Sequence, residues 1–120
     1  MNRYEIRCTE EQTRKAFKIG APIEEHGRYH ADLEPNIVMT NCKTWIEIPT
    51  AEQMLGWLES TIRISDIDVY RGGSQYWTFS VTLFCGNIIG KENYFTRQEA
   101  TLAAIDAALN YLINRKEEKS

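Results

Sequence analysis

Between Tyr76 and Cys85 the side chains alternate strictly, with Trp77, Phe79, Val81, Leu83 and Cys85 set against Tyr76, Thr78, Ser80, Thr82 and Phe84. A period of two predicts a strand with one face on a core. Upstream, Ile62 and Ile64 are out of phase with Ile67 and Val69, so IRISDIDVY reads as a strand with a bulge at Ser65-Asp66 that restores the facing. Arg71-Gly72-Gly73-Ser74-Gln75 supplies a turn between these strands. Gly86-Asn87 fits a two-residue hairpin loop, which predicts a third strand over residues 88–95.

The pattern changes period on either side of this block. In TRQEATLAAIDAALNYLINRK, Leu102, Ile105, Leu109 and Leu112 recur at helical spacing, and Ala100, Ala104, Ala107 and Ala108 form a small-residue flank suited to close approach to a sheet. Glu99, Asp106, Asn110 and Asn114 read as a solvated face, and the KEEKS tail is expected to fray. In PTAEQMLGWLES, Ala51, Met54, Leu55 and Leu58 define a second amphipathic helix, with Gly56 marking a close contact. Residues 50–116 therefore predict an α-β-β-β-α unit with both helices on one sheet face.

Residues 1–49 are less periodic. They suggest a short strand near Tyr4 to Arg7, a helix from Glu10 to Ile19 ended by Gly20 and Pro22, loops around Gly27 and Pro35, and a strand from Thr44 to Ile48. Glu10 with Arg14 and Glu11 with Lys15 support the helix at i, i+4 spacing. The fold class expected is α+β, a single domain over 1–120. Its N-terminal segment, 1–49, is expected to augment or cover the sheet.

Thr-x-Glu-Gln occurs at residues 9–12 and again at 50–53. A Thr three residues ahead of Gln is a capping box, in which the hydroxyl accepts from a helical N–H and the Gln reaches back to the cap. Thr96 and Glu99 offer the same device. A duplicated module would also repeat its core face, yet Ala51, Met54, Leu55 and Leu58 align with Glu10, Thr13, Arg14 and Phe17. The shared letters are helix-start grammar, and the first helix reads as a charged surface element, the place in residues 1–49 to expect a partner.

Composition narrows the function classes. The 120 residues carry 14 basic and 17 acidic side chains, a net charge of −3, with no basic stripe of the kind that grips phosphates. Cys8, Cys42 and Cys85 are odd in number and form no CxxC pair, so a reducing, cytoplasmic compartment is expected. No apolar run resembles a signal peptide or a membrane span, and no membrane role is expected.

Candidate chemistry is sparse. His26 and His30, with Glu24, Glu25, Asp32 and Cys42 nearby, offer metal-ligand types, but Gly27 interrupts the helix that would align them and no second ligand pair matches. They read as loop residues, and no metal site or cofactor is assigned. Asp66 and Asp68 would share one strand face, as a carboxylate pair or as charges that discourage edge pairing. Trp45, Trp57 and Trp77 read as packing residues. No nucleophile or nucleotide-binding motif occurs, and no catalytic residue is assigned. Tyr76, Thr78 and Phe84 lie on the strand face turned away from the helices, which is either an open partner-binding surface or one covered by residues 1–49.

The α-β-β-β-α order and TRQEATLAAIDAAL resemble a double-stranded-RNA-binding domain, whose last helix begins with a basic cluster that meets phosphates. The corresponding positions here are Arg97, Gln98 and Thr101, with one charge among the three, and the loop that carries a histidine in that family is RGGSQ. The resemblance implies nucleic-acid binding through Arg71, Gln75 and Arg97, although the overall charge does not favour it. CTEEQTRKAFKIGAPIE, IPTAEQMLGWLE and TRQEATLAAIDAALNYL also resemble small proteins of bacteriophages and mobile elements of gut bacteria, a family to which no activity is assigned. That likeness implies an intracellular accessory role. The leading expectation is a non-enzymatic interaction module that binds a protein partner or itself, with nucleic-acid binding second and an enzyme third.

Overall fold

A computed structural model describes residues 6–27, 36–40, 43–90 and 93–118. The fold is α+β, with three helices and two three-stranded antiparallel sheets. Helix α1 (Glu10–Lys18) precedes strands β1 (Glu25–His26), β2 (Ile37–Met39) and β3 (Trp45–Glu47), which form one sheet in the order β1-β3-β2. Helix α2 (Ala51–Ser60), strands β4 (Ile64–Arg71), β5 (Trp77–Leu83) and β6 (Ile88–Ile89), and helix α3 (Arg97–Glu118) follow, the second sheet being ordered β4-β5-β6.

The element order expected from residue 50 onward is present, and the bulge falls where the phase break placed it, between Ile64 and Asp66. Both Thr-x-x-Gln stretches are complete capping boxes: Thr9 and Thr50 accept from the N–H of Gln12 and Gln53, and each Gln side chain accepts from its cap's N–H. At the third helix Thr96 accepts from the Glu99 N–H at 3.0 Å.

Helix α3 is the centre of the fold. Ala100, Ala104, Ile105, Ala108 and Leu109 are fully buried between the β4-β5 side and the N-terminal elements. One contiguous core joins Cys8, Ala16, Val38 and Ile46 to Met54, Leu58, Ile64, Phe79 and Val81. The small-residue flank is therefore the close-packed stripe, and Leu102 and Leu112 lie at its margins.

Several expectations are corrected. The N-terminal segment neither extends β4-β5-β6 nor covers its outer face in the described residues; it builds its own sheet and packs on α3. β1 and β2 arise where loops were expected, because two- and three-residue strands are too short to display a period. Asp106 and Asn110 do not form a purely solvated face, since the Lys15 ammonium donates to the Asn110 side chain at 3.0 Å and lies 3.7 Å from Asp106. Helix α1 is accordingly docked, with Gln12, Thr13 and Ala16 buried.

The hairpin loop is longer by one residue than expected. Thr82 pairs with Ile88 and Val81 with Ile89, so the loop comprises Phe84, Cys85 and Gly86, with Gly86 at φ 96°. This is the three-residue form that ends on a left-handed glycine. The third strand is only Ile88–Ile89, supplemented by an isolated bridge between Trp77 and Tyr94. Gly56 is exposed and a Cβ there would meet nothing within 4 Å, so it marks no close contact. Helix α3 continues through the expected fraying point to Glu118. The Tyr4 end of the first predicted strand lies outside the described residues, while Arg7 bridges Thr50 and the Cys8 N–H donates to the Pro49 carbonyl at 3.1 Å.

Candidate partner-binding face

The inner face of β4-β5-β6 is spent on the helices. Its outer face is set by two features: the bulge at Ser65, and the three-residue loop after Leu83. Beyond the bulge, Asp66, Asp68 and Tyr70 pair with Thr82, Ser80 and Thr78, which places all six on the outer face. The loop then brings Ile88 opposite Thr82, onto the same face.

At one end of β5, Phe84 is 81% exposed and Ile88 66%. At the other end Phe95 is 77% exposed and its ring centroid lies 5.9 Å from that of Tyr76. Tyr76 is itself exposed, as is Tyr70 opposite Thr78. Small hydroxyl residues Thr78, Ser80 and Thr82 occupy the middle, and Asp66 and Asp68 are exposed along β4. The result is a surface about 20 Å long, at roughly 3.3 Å per strand residue, with apolar anchors at its ends and acid along one margin.

β4 is one of the two edge strands of this sheet, and its edge is guarded. The Ile67 N–H donates to the Glu59 carboxylate at 3.4 Å, and the bulge breaks the run of pairing groups. Bulges and charged groups of this kind oppose strand addition along β4.

Of the residues expected to bind a partner, Tyr76, Thr78 and Phe84 fall on this face as their alternation implied. Tyr70, Ile88 and Phe95 were missed. Tyr70 follows once the bulge is counted, Ile88 needs the three-residue loop, and the local sequence around Phe95 contains no signal for its contact with Tyr76.

The residues expected to contact nucleic acid divide differently. Arg71 and Arg97 converge, their guanidinium carbons lying 5.4 Å and 5.9 Å from the centroid of the Trp77 ring. Such geometry is cation–π stacking. Gln75 is exposed in the turn before β5. Thr101 is buried, and its hydroxyl donates to the Arg97 carbonyl at 2.7 Å. Arg97 and Thr101 border a cleft of about 520 Å³ at the N-terminal ends of α2 and α3, which Glu52 and Asp68 also line.

His26 lies in β1, whereas His30, Asp32 and Cys42 lie outside the described residues. Cys8 and Cys85 are free thiols, the first buried and the second exposed at the loop tip. Burial pushes the Cys8 thiol up to about 12. Among the described residues no helix is long and apolar enough to cross a membrane. No protein-family model, no curated protein and no solved structure matches the chain.

Proposed function

We propose that this protein is a non-enzymatic interaction module that uses the outer face of β4-β5-β6 to bind a protein segment with apolar anchors and a basic margin. The observation that carries the proposal is the placement of Phe84, Ile88 and Phe95, each at least 66% exposed, on one side of one sheet. Large apolar side chains grouped on a surface mark interaction sites, and aromatic anchors dominate their energetics. Asp66 and Asp68 at the margin select a basic partner segment through charge complementarity. The free thiols Cys8 and Cys85 fit action in the cytoplasm, in the phage-type accessory role that the sequence resemblance implies.

A photoreactive side chain introduced at Phe84 or Ile88 in cells is the test. One discrete heterologous adduct at both positions is expected, absent from a control at Glu52 and suppressed by Phe95→Glu. An adduct at twice the chain's own mass would assign the face to self-association. No adduct above the control would overturn the proposal.

The convergence of Arg71 and Arg97 on Trp77 favours a second reading, nucleic-acid binding by a double-stranded-RNA-binding-like fold. The α2-β4-β5-β6-α3 order supports that analogy. A gel shift at low salt, lost on Arg97→Glu and weakened steeply by added salt, is its expected signature. Absence of a shift at low salt removes it.

A further inference from the structure

The outer face of the small β1-β3-β2 sheet carries a second cluster. Glu25 pairs with Ile46 and His26 with Trp45, and the Glu47 N–H donates to the Glu24 carbonyl at 3.2 Å, so the register sets Glu24 directly opposite Glu47. The period of two then puts Glu24, His26 and Glu47 on one side of the sheet, while Ile46 and Ile48 point into the core. One donor atom from each of the three side chains lies within 4.8 Å of the other two.

Carboxylates placed directly opposite one another destabilise a strand pair unless a positive charge lies between them. The imidazole beside them makes the donor set nitrogen and oxygen rather than oxygen alone. Calcium and magnesium take all-oxygen cages, whereas imidazole with carboxylate suits zinc and its neighbours. We propose that Glu24, His26 and Glu47 form a binding site for a divalent transition-metal ion of the zinc type.

Zinc at about 2.0–2.2 Å from each ligand holds tetrahedral donors about 3.3–3.6 Å apart, so closure needs shifts of roughly 1 Å. Two glutamate side chains with three rotatable bonds each supply that movement. Three protein donors leave a fourth position for water or a ligand, as open zinc sites do. Glu24 and Glu47 also line a cleft of about 290 Å³ walled by Ala21, Ile23, Pro49, Met54 and Trp57, which gives that position room. The metal would tie β1 to β3, adding a cross-link where the backbone pairing is only two residues long.

Calorimetric titration of the full chain with zinc sulfate, paired with thermal unfolding, tests the site. One equivalent of zinc is expected, with a melting temperature raised at saturation and restored by a chelator. Glu47→Gln and Glu24→Gln keep side-chain size and His26→Ala removes the imidazole; each is expected to weaken binding by roughly tenfold or more. His30→Ala and Cys42→Ser should leave it unchanged. The proposal is overturned by no zinc binding to the parent chain, by full binding in folded Glu47→Gln and Glu24→Gln, or by loss on His30→Ala or Cys42→Ser.

Discussion

The Gln12 side chain joins two helices at once: its amide nitrogen donates to the Leu102 carbonyl at 2.8 Å while its oxygen accepts from the Thr9 N–H at 3.2 Å. The capping residue of α1 is thereby also its dock on α3. Gln53 completes the same box on α2 but is exposed and has no such second role among its hydrogen bonds. Gln12→Ala should therefore cost about 2 kcal/mol, a cap plus a buried hydrogen bond, against at most about 1 kcal/mol for Gln53→Ala. Urea unfolding of the two variants measures the difference. Equal losses would show that the contact with Leu102 adds nothing.

Two glycines should respond in opposite directions. Gly56 sits within α2 with open space around it, so Gly56→Ala should stabilise by about 0.5–1 kcal/mol. Gly90 has φ 151°, and a Cβ there would lie 2.2 Å from the Phe79 carbonyl oxygen. Backbone cannot yield as a flexible side-chain tip can, and Gly90→Ala should cost more than about 2 kcal/mol. Thermal melts of both variants check the signs.

What the pattern of residues reveals depends on the length over which it runs. The seven-residue β5, the phase break in β4 and the stripe of α3 were legible because several side chains repeat one period. β1 and β2 were not, since two or three residues cannot establish one. Helix α1 reads from its sequence as a charged surface element, and its docked side is hidden there because the dock uses Gln12, Thr13 and Lys15, polar side chains that carry no apolar stripe. The open face was half visible: Tyr76, Thr78 and Phe84 follow from alternation, whereas Ile88 changes face with one residue of loop length. The cluster of Glu24, His26 and Glu47 depends on a cross-strand register that local spacing does not encode.

If the outer face exists to bind, its anchors should be dispensable for folding. Phe84 is 81% exposed, so Phe84→Ser should change stability by no more than about 0.5 kcal/mol while abolishing partner capture. Phe79, buried on the inner face of β5, should lose about 3–5 kcal/mol on truncation to Ala. Denaturant titration of both variants separates the roles. A large loss at Phe84→Ser would mean that its ring supports the fold rather than a partner.

Cys8 supplies a dependence on alkaline pH with a definite sign. Its thiol is buried at the junction of residues 6–8 with Pro49 and Thr50, and its sulfur lies 3.8 Å from the Thr50 carbonyl oxygen. Desolvation raises its pKa from 9.0 to about 12 in the folded chain. Between those values the unfolded chain releases a proton that the folded chain keeps, so the unfolded state gains and stability falls as pH rises. Below about pH 9 both states hold the proton and Cys8 contributes no slope. Urea unfolding at a series of pH values should show a steeper alkaline decline in the parent than in Cys8→Ala, with parallel curves at neutral pH. In a Cys42→Ser background, a thiol reagent at pH 8 should modify exposed Cys85 at once and reach Cys8 only on unfolding, because the same burial that holds the proton also bars the reagent.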